Sequence, residues 1–314
     1  MRYINTLHEG ETIRCIYLCK GKRSAETRNG KAYDNLILQD KTGTLDGKVW
    51  DPNSNGIADY DEMDFIEVFG DVICYNGNLQ LNIKQIRKAF EDEYVAADYM
   101  PTSEKSVEGM YQELMKYVAQ IDNEYLRRAV EYYFKDDAAF IKRFQAHSAA
   151  KSVHHGFAGG LLEHTLSIVK MCEYYVGAYP ILNKDLLYAA AMYHDIGKTK
   201  ELSAFPENDY TDDGQLLGHI IIGVEMANDA IRSIPGFPEK LAAELKHCIL
   251  AHHGELEYGS PKKPALFEAV ALSLADNADA KLETMNEIIA GAGDNNGWLG
   301  YNRLFESNLR KTSI

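Results

Sequence analysis

Nine of the chain's ten histidines fall between His147 and His253. In order they include His164, the pair His194-Asp195 within His194-Asp195-Ile196-Gly197-Lys198, His219 and the doublet His252-His253, and Asp276 follows in Ala275-Asp276-Asn277. Neutral imidazole and carboxylate are the donors that Mn²⁺, Fe²⁺, Co²⁺ and Zn²⁺ accept. Five His and two Asp are enough to hold two such ions close together. Adjacent metal ions are the arrangement that hydrolyses phosphoesters.

Helices must position these groups, because the chain from about residue 103 onward has apolar residues at helical spacing. Thr102 and Ser103 are plausible N-caps for a helix through Ile121; further helices are expected over 124–134 and 138–144. His164 sits near the start of a helix running through Tyr175. His194-Asp195 closes a helix over 185–194 whose Leu186, Leu187, Ala190 and Ala191 suit full burial, with Gly197 breaking it. A carboxylate at the end of so apolar a helix is costly unless paired or metal-bound. His219 opens a helix over 218–231, His252-His253 ends one over 239–253, and Asp276 lies in one over 265–285 among Val270, Leu272 and Leu274. One buried histidine is ordinary core; seven His and Asp groups, each punctuating an apolar helix, call for a common cause.

Before residue 95 the texture is different. Short β-branched and aromatic runs over 13–20, 32–39, 45–50, 64–75 and 78–86 are separated by turn signals, of which Asn76-Gly77-Asn78 is a tight-hairpin one. A helix-like stretch over 56–62 lies between the third and fourth. Five such strands with that insertion suggest an OB-type barrel, whose strand-face aromatics stack bases while basic side chains follow phosphates. Tyr17, Tyr33 and Trp50 are the candidate aromatics; Lys20, Lys22, Arg23, Arg28 and Lys31 cluster about the first turn. The fold class expected is α+β and multi-domain: an N-terminal OB-like small β-barrel over 1–95, a helical connector over 96–146, an all-α metal-binding domain over 147–290, and a segment over 291–314 that packs on a neighbouring domain or subunit.

Composition limits the partners. With 314 residues, 46% apolar and 25% charged, the chain has the make-up of an ordinary globular protein of about two domains. No apolar run approaches the ~20 residues of a membrane span, and Met1–Asn5 has no signal-peptide core, so a cytoplasmic protein without membrane attachment is expected. Five scattered cysteines with no CxxC pair read as reduced thiols. A net charge of −14 provides no global field for nucleic acid, which would need a local basic strip and metal ions.

The series His164 … His194-Asp195 … Asp276 resembles the HD-domain superfamily of metal-dependent phosphohydrolases. His219 and His252-His253 make it similar to the binuclear subset. An OB-like domain ahead of it, with His154-His155 and Gly159-Gly160-Leu161-Leu162-Glu163-His164-Thr165 at the junction, is similar to the YhaM family of bacterial 3′→5′ exoribonucleases over nearly the whole chain. That resemblance implies that His164, His194, Asp195 and Asp276 hold one ion, with Asp195 bridging to a second held by His219, His252 and His253. It implies two divalent ions, Mn²⁺ foremost with Co²⁺, Fe²⁺ or Ni²⁺ as alternatives, a metal-bridged hydroxide as nucleophile, and a homo-oligomer. The expected catalytic pair is Asp195 with Lys198, the latter placed to meet a phosphate oxygen. Related HD-GYP proteins with three ions carry an acidic ligand where this chain has Gly160, so a third ion is not expected.

Single-stranded RNA is therefore the expected partner, with single-stranded DNA as a further substrate, and 5′-mononucleotides as the product. Lys20, Lys22, Arg23, Tyr33, Trp50, His154 and His155 are the candidate substrate contacts; His154 and His155 serve equally well to order their loop. Asp279, one turn after Asp276, is either an orienting partner for a ligand histidine or a surface carboxylate. Glu163 stays out of the ligand set, and His8, His147 and His247 read as structural or surface. Two other functions fit parts of the pattern. One is an HD-type phosphodiesterase of nucleotides or cyclic dinucleotides, although no Gly-Tyr-Pro signature follows Asp195. The other is a non-catalytic RNA-binding regulator, although no ligand has been lost.

Overall fold

The computed structural model describes residues 2–313 apart from 28–29, 76, 101–104, 151–155, 294 and 296. Arg28, Thr102, Ser103, His154 and His155 therefore lie outside the described residues. The chain divides into two compact units, Met1–Thr102 with Phe205–Glu207, and Ser103–Ala204 with Asn208–Ile314.

In the first unit, strands β1 (Thr12–Glu26), β2 (Ala32–Asp40), β3 (Gly43–Val49), β4 (Phe65–Tyr75) and β5 (Asn78–Lys88) close into a barrel in the order β1-β2-β3-β5-β4. The β3–β5 pairing is parallel and the other four are antiparallel. Alternation sends Ile13, Cys15 and Tyr17 of β1, Leu36 and Leu38 of β2, and Ile66, Val68 and Val72 of β4 into one apolar core. Closure leaves no unpaired sheet edge, and the barrel is OB-like.

The stretch 56–62 is not helical. Its backbone is taken up by β5 instead: Ala58 N donates to Ile86 O at 2.9 Å and Ile86 N to Gly56 O at 2.9 Å. A Cβ at Gly56 would stand 2.8 Å from Lys84 O, so only glycine lets the segment lie this close.

The second unit is built of helices α1 (Val107–Val118), α2 (Glu124–Phe134), α3 (Ala138–Ala146), α4 (Gly160–Ala178), α5 (Lys184–Tyr193), the single turn α6 (Lys198–Glu201), α7 (Asp212–Ser233), α8 (Glu239–Leu250) and α9 (Phe267–Gly291). A hairpin of β6 (Trp298–Asn302) and β7 (Ser307–Arg310) follows. Side-chain caps begin several helices: Ser106 for α1, Asn123 for α2, Asn183 for α5 and Thr211 for α7. Residues Leu186 to Tyr193 of α5 are buried without exception, and α5 packs against α1, α2, α4, α8 and α9. The helix that delivers His194-Asp195 is thus the most enclosed in the unit. On α9 the apolar background expected around Asp276 is only partial, because Leu272 is buried while Val270 and Leu274 are exposed. A helix with one packed face must leave such positions outside.

Candidate metal centre and barrel face

All seven His and Asp groups meet in the helical unit. His164 comes from α4, His194 and Asp195 from the end of α5, His219 from α7, His252 and His253 from the turn after α8, and Asp276 from α9. His164, His194 and Asp276 offer ligand atoms that lie within 4.8 Å of one another, and so do His219, His252 and His253. Asp195 lies between the two groups. Its Oδ2 is 3.4 Å from His164 Nε2 and 3.5 Å from His194 Nε2, while its Oδ1 is 3.5 Å from His219 Nε2 and 3.7 Å from His252 Nε2.

Two backbone features fix this meeting. Gly197 follows the His194-Asp195 turn, and a Cβ there would stand 2.0 Å from His219 O. The turn can lie against α7 only because residue 197 has no side chain. Within α7, Gly218 adopts φ 73° and ψ 158°, a kink that L side chains resist, and His219 begins the helix beyond it.

The orientation of each imidazole is set on its Nδ1 side. His164 Nδ1 meets Asp279 Oδ2 at 2.7 Å, and His219 Nδ1 meets Glu201 Oε1 at 3.0 Å. The acceptors for His194, His252 and His253 are main-chain carbonyls, Ala191 O at 2.7 Å, Ile249 O at 2.7 Å and Tyr258 O at 2.8 Å. An Nδ1–H donor leaves the Nε2 lone pair directed inward, as metal ligation requires. Asp279 also accepts a hydrogen bond from the Ser167 hydroxyl. Asp195 Oδ1, His219 Nε2 and His252 Nε2 are buried with no hydrogen-bond partner among the described residues. Three orphaned buried polar atoms converging on one point are a rare and costly arrangement, and a divalent cation there satisfies all three.

Charge follows the same plan. Burial alone would raise the Asp195 carboxyl, but the Lys198 ammonium, 2.6 Å from Oδ2, and the neighbouring imidazoles hold it well below the usual carboxylate range. Burial and the adjacent His253 push the His252 imidazole well below its ordinary value, and burial lowers His253. Both are therefore neutral at pH 7, the form that binds metal. For His164, burial opposes protonation, but the carboxylates of Asp195, Asp276 and Asp279 outweigh it and raise the pKa well above normal. An electron-rich cavity of this kind attracts cations. A cleft of about 740 Å³ opens onto it, lined on the metal side by His164, Lys198, His253 and Asp276.

Glu201 is the residue of the candidate site that sequence reasoning missed. It accepts both His219 N at 2.9 Å and His219 Nδ1 at 3.0 Å, and its carboxyl is held below the ordinary value by that histidine against the effect of burial. No spacing rule marks an acid on a one-turn helix. His147, buried between the carbonyls of Ser148 and Leu202, and His247, which accepts from Ala265 N, lie outside the cluster. Glu163 pairs with Lys105.

On the barrel the candidate contacts separate by face. Tyr17 is fully buried and donates its hydroxyl to Arg2 O, so it belongs to the core and is not available to stack a base. Lys22 pairs in register with the buried Leu36, and its Nζ is spent on Tyr60 O at 2.7 Å. Arg23 and Lys48 both pair with Asn35, and Tyr33 and Trp50 lie two residues along from that row, so all four share the outer face of β1-β2-β3. The Tyr33 and Trp50 ring centroids are 5.4 Å apart, and Lys48 Nζ stands 5.2 Å from the Tyr33 ring. Lys20 is exposed at the β1 bulge. Lys48 completes an aromatic and basic surface that the sequence reading had assembled without it.

Comparison with known proteins agrees with this geometry. Residues 161–281 match the HD domain family model. The chain is 36% identical over 281 residues to the 3'-5' exoribonuclease YhaM of Geobacillus sp. (strain WCH70), covering 89% of this chain and 86% of that protein. It is 36% identical over 285 residues to the YhaM of Listeria monocytogenes serovar 1/2a, covering 89% and 88%. It is 35% identical over 285 residues to that of Bacillus subtilis (strain 168), covering 90% of each.

Proposed function

The chain belongs to the family of the 3'-5' exoribonuclease YhaM, and from that premise we propose that it is a metal-dependent hydrolase removing nucleotides from the 3′ end of single-stranded RNA. The observation that carries the reading is the set of orphaned buried atoms about Asp195, with every ligand histidine turned inward by an acceptor on its far side. His164, His194 and Asp276 would hold one cation and His219, His252 and His253 a second, with Asp195 shared. Two divalent cations there supply Lewis-acid chemistry for phosphodiester hydrolysis. Mn²⁺ is the proposed occupant, with Co²⁺, Fe²⁺ or Ni²⁺ as alternatives.

The protein's own groups have distinct work. Asp195 stays ionised beside Lys198, so its two oxygens remain available to both halves of the site. Lys198 stays protonated because Asp195 outweighs its burial. From the cleft wall it offers positive charge to the phosphate as negative charge develops there. Tyr33, Trp50, Lys48 and Arg23 would hold the strand on the barrel's outer face, with Lys20 at its margin. The proposed division of labour is a nucleic-acid-binding domain over 1–95, a connector over 96–146, the HD hydrolase over 147–290 and a C-terminal segment over 291–314. Single-stranded DNA as a second substrate, a homo-oligomeric state and a cytoplasmic location complete the reading. The last is supported by five free cysteines, and among the described residues no helix is long and apolar enough to cross a membrane.

Digestion of a 5′-labelled oligoribonucleotide with Mn²⁺ tests it. The expected result is a ladder shortening from the 3′ end with release of 5′-mononucleotides, abolished by His194→Ala and by Asp195→Ala. A wild type inert across several divalent metals would sink the reading. Faster turnover of a cyclic dinucleotide than of the oligomer would transfer the site to small-molecule phosphodiester hydrolysis.

A further inference from the structure

We propose that the turn of the β6–β7 hairpin, together with Lys281 of α9, forms the subsite for the part of an RNA strand next to the scissile phosphate. Arg303 and Lys281 take the neighbouring phosphate, and Phe305 provides a face for a base. This rests on the exoribonuclease reading and adds to it a second set of contacts at the same cleft.

The position of these residues is the first support. Lys281, Arg303, Phe305 and Glu306 line the cleft that His164, Lys198 and Asp276 line from the metal side. Its volume, about 740 Å³, falls within the range of roughly 300–1,000 Å³ typical of sites for small ligands. That space exceeds what a metal pair needs and suits nucleotide units.

The hairpin itself is the second. A two-stranded hairpin is marginal in water by itself, and this one buries little: Leu309 is enclosed while Trp298, Tyr301 and Leu304 are exposed. It is nonetheless held in a defined shape. Lys311 Nζ donates to Gly293 O at 2.7 Å, and Leu304 N donates to Asn302 Oδ1 at 2.9 Å where the chain enters the turn. Glu306 adopts a left-handed φ of 47° to complete it. The fold holds this turn in shape although the turn adds little to the core.

The third support is uncommitted charge. Other cations near the site are committed, Lys198 to Asp195 and Lys105 to Glu163. Arg303 and Lys281 have no ion pair among the described residues, although Glu306 lines the same cleft. A planar guanidinium and an ammonium lining one cleft offer a phosphate bidentate and point-charge contacts. A half-buried Phe on the same wall supplies the stacking face that single-strand binders use.

The test is steady-state digestion of a single-stranded oligoribonucleotide with Mn²⁺ over a range of salt, with the full-length protein. Arg303→Ala and Lys281→Ala should each raise KM about tenfold, the loss expected for a phosphate or base contact. Each should also flatten the dependence of log(kcat/KM) on log[salt] by about 0.7, the counterion release of one single-strand phosphate contact. Arg303→Lys should recover the salt slope. Phe305→Ala should raise KM about tenfold at an unaltered slope, because stacking is not ionic. A double variant Arg303→Ala/Lys281→Ala with wild-type KM and salt slope overturns the subsite while leaving the exoribonuclease reading intact. So does a variant that loses activity with an unchanged slope and a lowered melting temperature, which marks the turn as structural only. A wild type inert on RNA instead overturns the activity and the subsite with it.

Discussion

Asp279 and Glu201 hold no place among the proposed metal ligands, yet each accepts the Nδ1 of one, His164 and His219 respectively. Such partners fix ring orientation and raise ligand basicity, and their loss costs about 10–100-fold in metal affinity or activity. Glu201→Ala and Asp279→Asn should therefore weaken Mn²⁺ binding by about that factor, read by calorimetric titration of the metal-free protein; wild-type affinity in both would remove the orienting role. Asp279 was partly legible, because it falls one turn after Asp276 on the same helix. Glu201 was not, because its partner is eighteen residues away across the Gly218 kink. A third residue ties stability to pH. Burial holds the His147 imidazole below its ordinary value, against the pull of the Ser148 and Leu202 carbonyls. The folded state therefore keeps it neutral, while the unfolded chain takes up a proton below about pH 6.5. Its contribution is full above that pH and is lost as pH falls from there toward the folded pKa. In EDTA, the urea midpoint should fall more between pH 7.5 and 5.5 for wild type than for His147→Asn; equal falls would refute it.

At the scale of elements, the Gly197 turn and the Gly218 kink decide whether the ligands meet. Gly197→Ala would place a methyl group against His219 O, where the unstrained gap is 2.0 Å. Such overpacking costs about 1–3 kcal/mol. The expected outcome is that loss in denaturant unfolding together with weakened Mn²⁺ binding; wild-type values for both would show that the α6–α7 contact yields easily. On the barrel, Tyr33→Ala or Trp50→Ala should raise KM for RNA by the equivalent of about 1–3 kcal/mol per stacked base. The melting temperature should hold, since both rings are on the outer face; unchanged KM in both would detach that face from substrate binding. The strands were readable because a wall with a dry inside and a wet outside imposes a period of two on its sequence. The loop over 56–62 was not, since its backbone partner is β5, distant in sequence. Lys22 was misplaced for a related reason. The bulge between Cys19 and Gly21 shifts the register, so the lysine pairs with Leu36 on the inner side.

Over the whole molecule, the helical unit draws the proposed ligands from α4, the end of α5, α7, the turn after α8 and α9. Any ion bound there joins segments up to 112 residues apart, His164 to Asp276. Binding to the folded state alone stabilises by about 2.7 kcal/mol per ion at a hundredfold excess over Kd. For a unit of this size that is roughly 5–10 °C in Tm. Chelation by EDTA should lower the melting temperature by at least that amount and Mn²⁺ should restore it; a metal-indifferent melt would argue against resident ions. The ordering of His and Asp along the chain was legible because each ends or punctuates a helix, and helix ends are where apolar periodicity stops. What holds the rings in place was legible only in part. Of the five acceptors that orient the ligand imidazoles, those serving His194, His252 and His253 are the carbonyls of Ala191, Ile249 and Tyr258. A carbonyl belongs to every residue alike, so these three contacts leave no mark in the side-chain alphabet, although Ala191 and Ile249 are themselves fully buried. Only Asp279 and Glu201 make that orienting contact through a side chain. A relative that has exchanged either acid is thus expected to seat its ions more weakly even where all seven proposed ligands remain.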